Sequence, residues 1–244
     1  MKLFVFPALM LTALLASCGS GSTPQPGASS NSGSVSSVID GAAPSAVPIP
    51  ARAPVIVAFG DSLYAGYQLG PHESYPARLE AALAARGHPA HVVNAGVSGD
   101  TTADGKARLA FTLDNQPKRP VLVLLGLGGN DMLRGLPPEQ AEANLDAIMA
   151  ELAKRKIPVM LTGMLAAPNL GADYVRKFNQ IYPALALKYK AELVPFLLQP
   201  IVGHPEWQSP DHIHPNAKGI DKVVDGSIGP VLKALKPHVE DVAD

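Results

Sequence analysis

From Pro54 onward, hydrophobic residues occur in two alternating kinds of segment. Short runs with almost no polar side chain predict buried strands, and longer stretches with helical spacing predict helices between them. The predicted strands are residues 54–59, 91–94, 121–127, 158–163 and 193–196. The predicted helices are residues 75–86, 100–113, 137–154, 172–190 and 216–235. A proline inside a helix removes a hydrogen bond, so a kink or break is expected near Pro183.

Strands and helices therefore alternate throughout this region. Strands that are apolar at every position are typical of a parallel sheet buried on both faces. The predicted fold class is α/β, a three-layer α/β/α arrangement of flavodoxin-like type with a five-stranded parallel sheet. In such sheets ligands bind at the carboxyl ends of the strands. Ser62, Gly99, Asn130 and the segment after Gly163 all follow predicted strands, so we expect them to gather at one edge.

The N-terminal segment has the pattern of an export signal. Lys2 precedes an apolar stretch too short for a stable transmembrane helix, and Leu15-Ala16-Ser17-Cys18 matches the bacterial lipoprotein cleavage pattern. We interpret residues 1–17 as a lipoprotein signal peptide and Cys18 as the lipidated residue. An ordinary signal peptide with a chance cysteine is the alternative. Cys18 is the only cysteine, so no intramolecular disulfide can form.

Residues 18–53 are predicted to be a flexible tether. Residues 19–50 contain nine serines, five glycines and five prolines, and Asp40 is their only charged residue. Such a segment has too little apolar surface to offset the entropy of ordering. We therefore expect an exported lipoprotein attached to the bacterial cell envelope through Cys18, on the outer-membrane or periplasmic side if the source is Gram-negative.

Residues 54–237 are predicted to form one domain, followed by an acidic tail at residues 238–244. The chain carries 20 basic and 21 acidic residues, a net charge of −1. That balance provides no basic field for nucleic acid, so no nucleic-acid partner is expected. No cofactor is expected either, and the sequence does not indicate an oligomeric state.

The candidate chemistry involves residues that are far apart in the sequence. A serine hydroxyl such as that of Ser62 becomes a nucleophile when a base removes its proton, and an imidazole can do this near neutral pH. Asp211 and His214 lie three residues apart, a spacing at which a turn can bring the carboxylate to the ring. The Ser62 and Gly99 N–H groups and the Asn130 side chain are suitable donors to an oxyanion.

Each motif also has a purely structural interpretation. Gly60-Asp61-Ser62 is an ordinary turn sequence, and Gly128-Gly129-Asn130-Asp131 is compatible with a strand-to-loop turn. Asp211 and His214 are compatible with a helix-entry cap, or with a metal site that includes His212, although no further ligand is evident. The Gly-x-Ser-x-Gly elbow of α/β-hydrolases is excluded, because position 64 is tyrosine.

Four motifs in this order resemble those of the SGNH hydrolases, also called GDSL esterases. The resemblance is strongest to the bacterial thioesterase I, lysophospholipase L1 and arylesterase branch, and it runs from about Pro54 to Pro237. The motifs are Gly60-Asp61-Ser62-Leu63, Val93-Asn94-Ala95-Gly96-Val97-Ser98-Gly99-Asp100-Thr101-Thr102, Gly128-Gly129-Asn130-Asp131 and Asp211-His212-Ile213-His214-Pro215-Asn216.

The resemblance implies a serine esterase that forms an acyl-enzyme. Ser62 would be the nucleophile, His214 the base and acid, and Asp211 the residue that orients His214. The Ser62 and Gly99 amides and the Asn130 side chain would form the oxyanion hole. The implied partners are small acyl substrates: short-to-medium acyl esters, aryl esters, thioesters or lysophospholipids.

Two departures from the family pattern concern His212, where relatives often have glycine, and Gly126, where an acidic residue is common. The loops at residues 133–138 and 164–172 are expected to set the preference for acyl chain length, with Leu165 on a wall that contacts the acyl chain.

Two alternative functions stay open. A deacetylase of O-acetylated glycans would use the same chemistry, and a non-catalytic surface binding protein belongs to another class.

Overall fold

The computed structural model describes residues 48–239. The predicted signal peptide, Cys18 and residues 18–47 of the predicted tether lie outside the described residues, as do residues 240–244 of the predicted tail. None of the described helices has both the length and the apolar character needed to cross a membrane.

A five-stranded parallel sheet forms the centre of the domain. Its strands are β1 (Val55–Gly60), β2 (His91–Gly96), β3 (Leu122–Gly126), β4 (Val159–Thr162) and β5 (Glu192–Val194). Their spatial order is β2-β1-β3-β4-β5, and each neighbouring pair is parallel. This is the flavodoxin-like order, so the predicted fold class is confirmed.

Helices cover both faces of the sheet. They are α1 (Ser62–Ala65), α2 (Tyr75–Ala85), α3 (Thr102–Asp114), α4 (Gly129–Leu133), α5 (Pro138–Lys154), α6 (Ala172–Tyr189) and α7 (Ala217–Val239). Three short 3₁₀ turns lie in the loops, at Pro168–Leu170, Gln199–Ile201 and Pro205–Trp207.

The sheet separates two apolar cores, because alternate residues of a strand point to opposite faces. Val55, Val57 and Phe59 of β1 pack with residues of α3, α5 and α6. Ile56 and Ala58 pack with residues of α2 and α7. All residues of β1 are buried, which explains why this strand has no polar alternation.

The five predicted strands and five predicted helices are present, with shifted ends. β2 extends to Gly96, and α7 continues to Val239 rather than ending at residue 235. The helix is not split near Pro183, since α6 is continuous through it. Pro183 itself is exposed, while Phe178 and Tyr182 on the same helix are buried, so core packing holds the helix together despite the missing hydrogen bond.

Two short helices, α1 and α4, are not predicted by the hydrophobic pattern. They contain four and five residues, which is too few to show a period of about 3.6 residues. Both lie directly after strands, at the carboxyl edge of the sheet. The register pairs Gly60 of β1 with Gly96 of β2 and Gly126 of β3, so the loops that follow these strands begin side by side.

Candidate active site

Ser62, His214 and Asp211 form a continuous hydrogen-bonded series. Ser62 Oγ lies 2.8 Å from His214 Nε2, although the two residues are 152 positions apart in the sequence. His214 Nδ1 lies 2.7 Å from Asp211 Oδ2. The fold therefore brings together the three side chains that the sequence predicts to be the nucleophile, the base and the acid that orients the base.

Ser62 is held in a sharp turn between β1 and α1. Asp61 caps the helix, since its Oδ1 accepts a hydrogen bond from the Leu63 N–H over 3.0 Å. The helix ends four residues later at Gly66, which has a left-handed φ of 84°. This arrangement starts the helix at the nucleophile and places Ser62 at the carboxyl edge of the sheet.

Asp61 is itself unusual, because this acidic residue is only 3% exposed. Burial raises its pKa to about 6, while the hydrogen bond from Leu63 opposes the shift. Moving a carboxylate out of water disfavours its charged form, which is the cause of this direction. A group that changes charge near pH 6 therefore lies next in sequence to Ser62.

The loop that carries Asp211 and His214 is fixed by its own hydrogen bonds. Asp211 Oδ1 accepts from the N–H groups of Ile213 (2.9 Å) and His214 (3.0 Å). Burial acts to raise the pKa of Asp211, but the two amides and the imidazole outweigh it and lower the pKa to about 2. The resulting carboxylate favours a proton on His214 Nδ1, which leaves the Nε2 lone pair for the Ser62 hydroxyl.

The loop is also attached to α7. The Ser209 N–H donates to the His214 carbonyl over 2.8 Å, and Gln208 pairs with Pro215 in an antiparallel bridge. Asn216 caps α7 by accepting from the Gly219 N–H over 3.0 Å. His214 therefore lies between two fixed points of the backbone.

His212 has a φ of 57°, in the left-handed region that glycine adopts most easily. The family's frequent glycine at this position thus has a conformational reason, and a histidine there costs roughly 1 kcal/mol. Within residues 48–235, whose side chains are described, no three His, Cys, Asp or Glu side chains converge as a metal-binding group. Asp211, His212 and His214 accordingly do not form one.

The candidate oxyanion donors come from three adjacent loops. Asn130 Nδ2 donates to the Asp100 carbonyl over 3.0 Å, and its second hydrogen is available for another acceptor. Gly99 has a left-handed φ of 88°. In the described part of the chain, neither the Ser62 nor the Gly99 N–H donates to a protein acceptor. These groups can therefore donate to a negatively charged oxygen.

Sequence reasoning did not single out Arg108, which connects two of these loops. It forms an ion pair with Asp100 over 2.6 Å and donates to the Gly60 carbonyl over 2.9 Å. Its guanidinium lies 4.0 Å from the centre of the Phe59 ring. Arg108 thus ties the loop of Gly99 to the end of β1, and only the tertiary contacts reveal this.

Asp131 makes a similar connection between α4 and α3. It is 1% exposed and accepts from the Thr102 N–H (2.8 Å) and the Thr102 hydroxyl (2.6 Å). Because Asn130 precedes it, the buried Asp131 fixes the Asn130 backbone against the start of α3. The threonine pair at residues 101–102 and the acid after Asn130 were the available sequence signals.

Gly126 packs beneath the ring of Tyr64. The Tyr64 hydroxyl lies 2.9 Å from Thr162 Oγ1. A Cβ on residue 126 would lie 2.7 Å from Thr162 Oγ1 and 2.8 Å from Tyr64 Cζ. The acidic residue that relatives often carry at this position therefore has no room in this structure.

Comparison with known proteins finds a matching family and several named relatives. A family model described as the GDSL-like Lipase/Acylhydrolase family matches residues 58–222. The arylesterase of Vibrio mimicus is 39% identical over 160 residues, which cover 66% of this chain and 79% of the relative. The thioesterase 1/protease 1/lysophospholipase L1 of Escherichia coli K12 is 37% identical over 189 residues, covering 78% and 86%.

Among solved structures, AlinE4, described as an SGNH-hydrolase family esterase, is 54% identical with a TM-score of 0.65. The match covers 75% of this chain and 97% of AlinE4. The region matched by the family model includes Ser62, Gly99, Asn130, Asp211 and His214. The chain therefore belongs to the GDSL-like lipase/acylhydrolase family of SGNH hydrolases, which are carboxylic-ester hydrolases.

Proposed function

We propose that this chain is a serine esterase that hydrolyses carboxylic esters or thioesters through an acyl-enzyme on Ser62. The observation that carries the proposal is the pair of short contacts around His214, 2.8 Å to Ser62 Oγ and 2.7 Å to Asp211 Oδ2. The relatives named arylesterase and thioesterase/lysophospholipase support short-to-medium acyl, aryl and lysophospholipid substrates.

In the acylation step, Ser62 Oγ attacks the substrate carbonyl carbon while His214 Nε2 takes the hydroxyl proton. The carbonyl π bond opens and leaves a negative charge on the oxygen. Asp211 stays ionised and accepts the Nδ1–H bond, so it orients the ring and stabilises the imidazolium that forms. It takes no proton itself.

The negative oxygen is stabilised by the Ser62 and Gly99 N–H groups and the free Nδ2 hydrogen of Asn130. Each such donor typically contributes about 3–4 kcal/mol in the transition state. The contacts of Arg108 and Asp131 hold these loops before substrate arrives, so little reorganisation is needed during the reaction.

The tetrahedral intermediate collapses when the carbonyl re-forms and the bond to the leaving oxygen or sulfur breaks. The leaving group receives the proton from His214 Nε2 and departs as an alcohol or thiol. A water molecule then attacks the acyl carbon, gives its proton to His214, and a second collapse releases the carboxylic acid and regenerates the Ser62 hydroxyl.

The comparisons do not favour the two alternative functions. The matched relatives are named esterases and thioesterases, which supports catalysis on acyl esters over a glycan deacetylase or a non-catalytic binding protein. No observation on this structure favours either alternative, so neither is proposed.

The test uses residues 19–244, which include all described residues. Turnover of p-nitrophenyl acetate, p-nitrophenyl butyrate and an acyl thioester is measured for wild type and Ser62→Ala. We expect turnover by wild type, a loss of at least about 10³-fold in the variant, and a fluorophosphonate adduct on Ser62 in the mass spectrum. Folded wild-type protein without turnover, or a variant with full turnover, would refute the proposal.

Export and membrane attachment through Cys18 are a separate proposal that rests on the Leu15-Ala16-Ser17-Cys18 pattern. The full chain and Cys18→Ser are expressed in a bacterium with labelled palmitate. The expected result for wild type is label and membrane association that resists an alkaline carbonate wash, and neither is expected for the variant. A Cys18→Ser chain that carries label, or that stays in the membrane fraction after the wash, would contradict the anchor.

A further inference from the structure

Exposed apolar side chains are concentrated around the Ser62–His214 pair. The described residues include eight large apolar side chains that are well exposed, and five of them lie in the loops and short helix α4 at this edge of the sheet. We call these five the apolar rim: Tyr67, Val97, Leu133, Leu165 and Ile213. Their exposed fractions run from 41% for Leu165 to 56% for Leu133.

The rim residues come from different loops that surround the nucleophile. The Tyr67 ring centre lies 4.8 Å from that of His214, and Ile213 directly precedes His214. The Val97 N–H donates to the carbonyl of Gly60 at the end of β1. Leu133 ends α4, the helix that carries Asn130, and Leu165 follows β4.

Of the other three exposed apolar residues, Val202 lies in the segment between β5 and α7, and two lie toward the opposite edge of the sheet. Phe111 is 73% exposed near the end of α3, and Leu187 is 82% exposed near the end of α6. Both helices follow strands of a parallel sheet, so they run back from the carboxyl edge to the amino edge. Single exposed apolar side chains are ordinary, whereas a ring around one opening indicates an interaction site.

We propose that the apolar rim docks onto a phospholipid surface and presents Ser62 to acyl esters held in that surface. This inference rests on the proposed esterase function and names the form in which its substrate is delivered. A protein or a second copy of this chain seated on the rim would cover Ser62 and block the substrate. A lipid layer supplies the substrate through the same contact.

The charges near the rim do not select an anionic surface. Hydrogen bonds from Thr101 and the charge of Arg134 lower the pKa of Asp104. The positive charge of the Arg134 guanidinium is therefore offset by the negative charge of the Asp104 carboxylate. The Asp211 carboxylate is paired with His214. Docking therefore depends on apolar contact and should occur on zwitterionic lipid.

The chain length before the domain is compatible with this orientation. The described chain begins at Pro48 and enters β1 at the amino edge of the sheet, whereas the rim lies at the carboxyl edge. Residues 19–47 can span up to roughly 100 Å when extended, while the six residues of β1 span only about 20 Å. A domain anchored at Cys18 can thus turn its rim toward the membrane that holds the anchor.

The test measures binding of residues 19–244 to vesicles of zwitterionic phosphatidylcholine by co-sedimentation. The match with AlinE4 covers 97% of that chain, and AlinE4 forms a folded domain in its crystal structure. The anchor at Cys18 is therefore not required for folding. Ser62→Ala is the background, which makes the result independent of hydrolysis. The rim variant combines Leu133→Ser, Leu165→Ser and Ile213→Ser.

The control combines Phe111→Ser and Leu187→Ser, which remove two apolar side chains from the other edge that are more exposed than those of the rim. We expect the background protein and the control to bind the vesicles. The partition coefficient of the rim variant should be at least about thirty-fold lower, since each substitution removes apolar area that would contact lipid. Circular dichroism and thermal unfolding verify that all variants fold. If the triple variant does not fold, Leu165→Ser alone is expected to weaken binding several-fold.

Several results would overturn the proposal. They are absence of binding by the background protein, equal binding by the rim variant, loss of binding in the control, or binding to anionic vesicles only. Rim-dependent dimerisation without vesicle binding would assign the rim to a second copy instead. Turnover of p-nitrophenyl acetate by wild type is measured in parallel, so failure of docking and failure of the esterase proposal are distinguished.

Discussion

Arg134 donates a hydrogen bond to the Gly99 carbonyl oxygen over 2.7 Å. Arg134 follows α4, whose Asn130 is one proposed oxyanion donor, and Gly99 supplies another through its N–H. The guanidinium therefore joins two loops of the proposed oxyanion hole and holds the Gly99–Asp100 peptide, which is next along the chain to the peptide that carries the Gly99 N–H. Arg134 does not touch the reacting atoms in this arrangement and acts as a positioning residue.

Replacing Arg134 by alanine is expected to lower kcat/KM for p-nitrophenyl butyrate by about five- to tenfold, mostly through kcat, because one exposed charge-assisted hydrogen bond is lost. Arg134→Lys should recover part of the activity. Arg119→Ala is the matched control, since Arg119 also donates to backbone carbonyls, those of Arg155 and Lys156, far from Ser62. Equal kinetics for Arg134→Ala and wild type would remove this role.

Asp211→Asn should lower kcat by about 10³- to 10⁴-fold, because the amide no longer favours the Nδ1 proton or stabilises the imidazolium. Asp221→Asn is the control, an exposed acid on α7 that faces Arg78. Steady-state kinetics on one ester measure both variants. A loss below tenfold would show that His214 works without this carboxylate.

Asp61 is expected to make folding less favourable as pH rises. Its folded pKa of about 6 lies above the value for the unfolded chain, so the folded state binds the extra proton between about pH 4 and 6. The free energy of unfolding therefore falls across this window, by roughly 3 kcal/mol for a shift of about two units.

Asp61→Asn keeps an oxygen to cap Leu63 and removes the titration. Urea unfolding at pH 4 and pH 8 should give similar stabilities at pH 4 and a more stable variant at pH 8. All other ionisable groups are the same in the two proteins, so the difference between them isolates Asp61. If the variant and wild type change in parallel with pH, the raised pKa is wrong.

Gly126→Ala should destabilise the domain by about 1–3 kcal/mol, because the new methyl group meets Tyr64 and Thr162 in a packed site. Gly229→Ala is the contrasting variant. Gly229 lies in α7 with nothing within 4 Å of an added Cβ, so alanine there should stabilise the helix by up to about 1 kcal/mol. Chemical unfolding curves measure both, and equal effects would contradict the packing argument.

The sequence alone determined the order of strands and helices and the position of each proposed donor directly after a strand. These features are local. A short apolar run indicates a buried segment, and a glycine at its end indicates a turn, within a few residues of sequence. The spacing of Asp211 and His214 is equally local. A parallel sheet then requires Ser62, Gly99 and Asn130 to lie at one edge.

Tertiary structure decided the contacts that no local pattern encodes. The 2.8 Å approach of His214 to Ser62, across 152 residues of sequence, depends on α7 packing against α2, β4 and β5. The ion pair of Arg108 with Asp100 and the burial of Asp61 depend on neighbours from separate elements. Packing against separate elements also explains why α6 continues through Pro183. Position along the chain predicts which residues reach the edge of the sheet. The distances between these residues, their burial and the interactions between their charges are set only when the chain is packed.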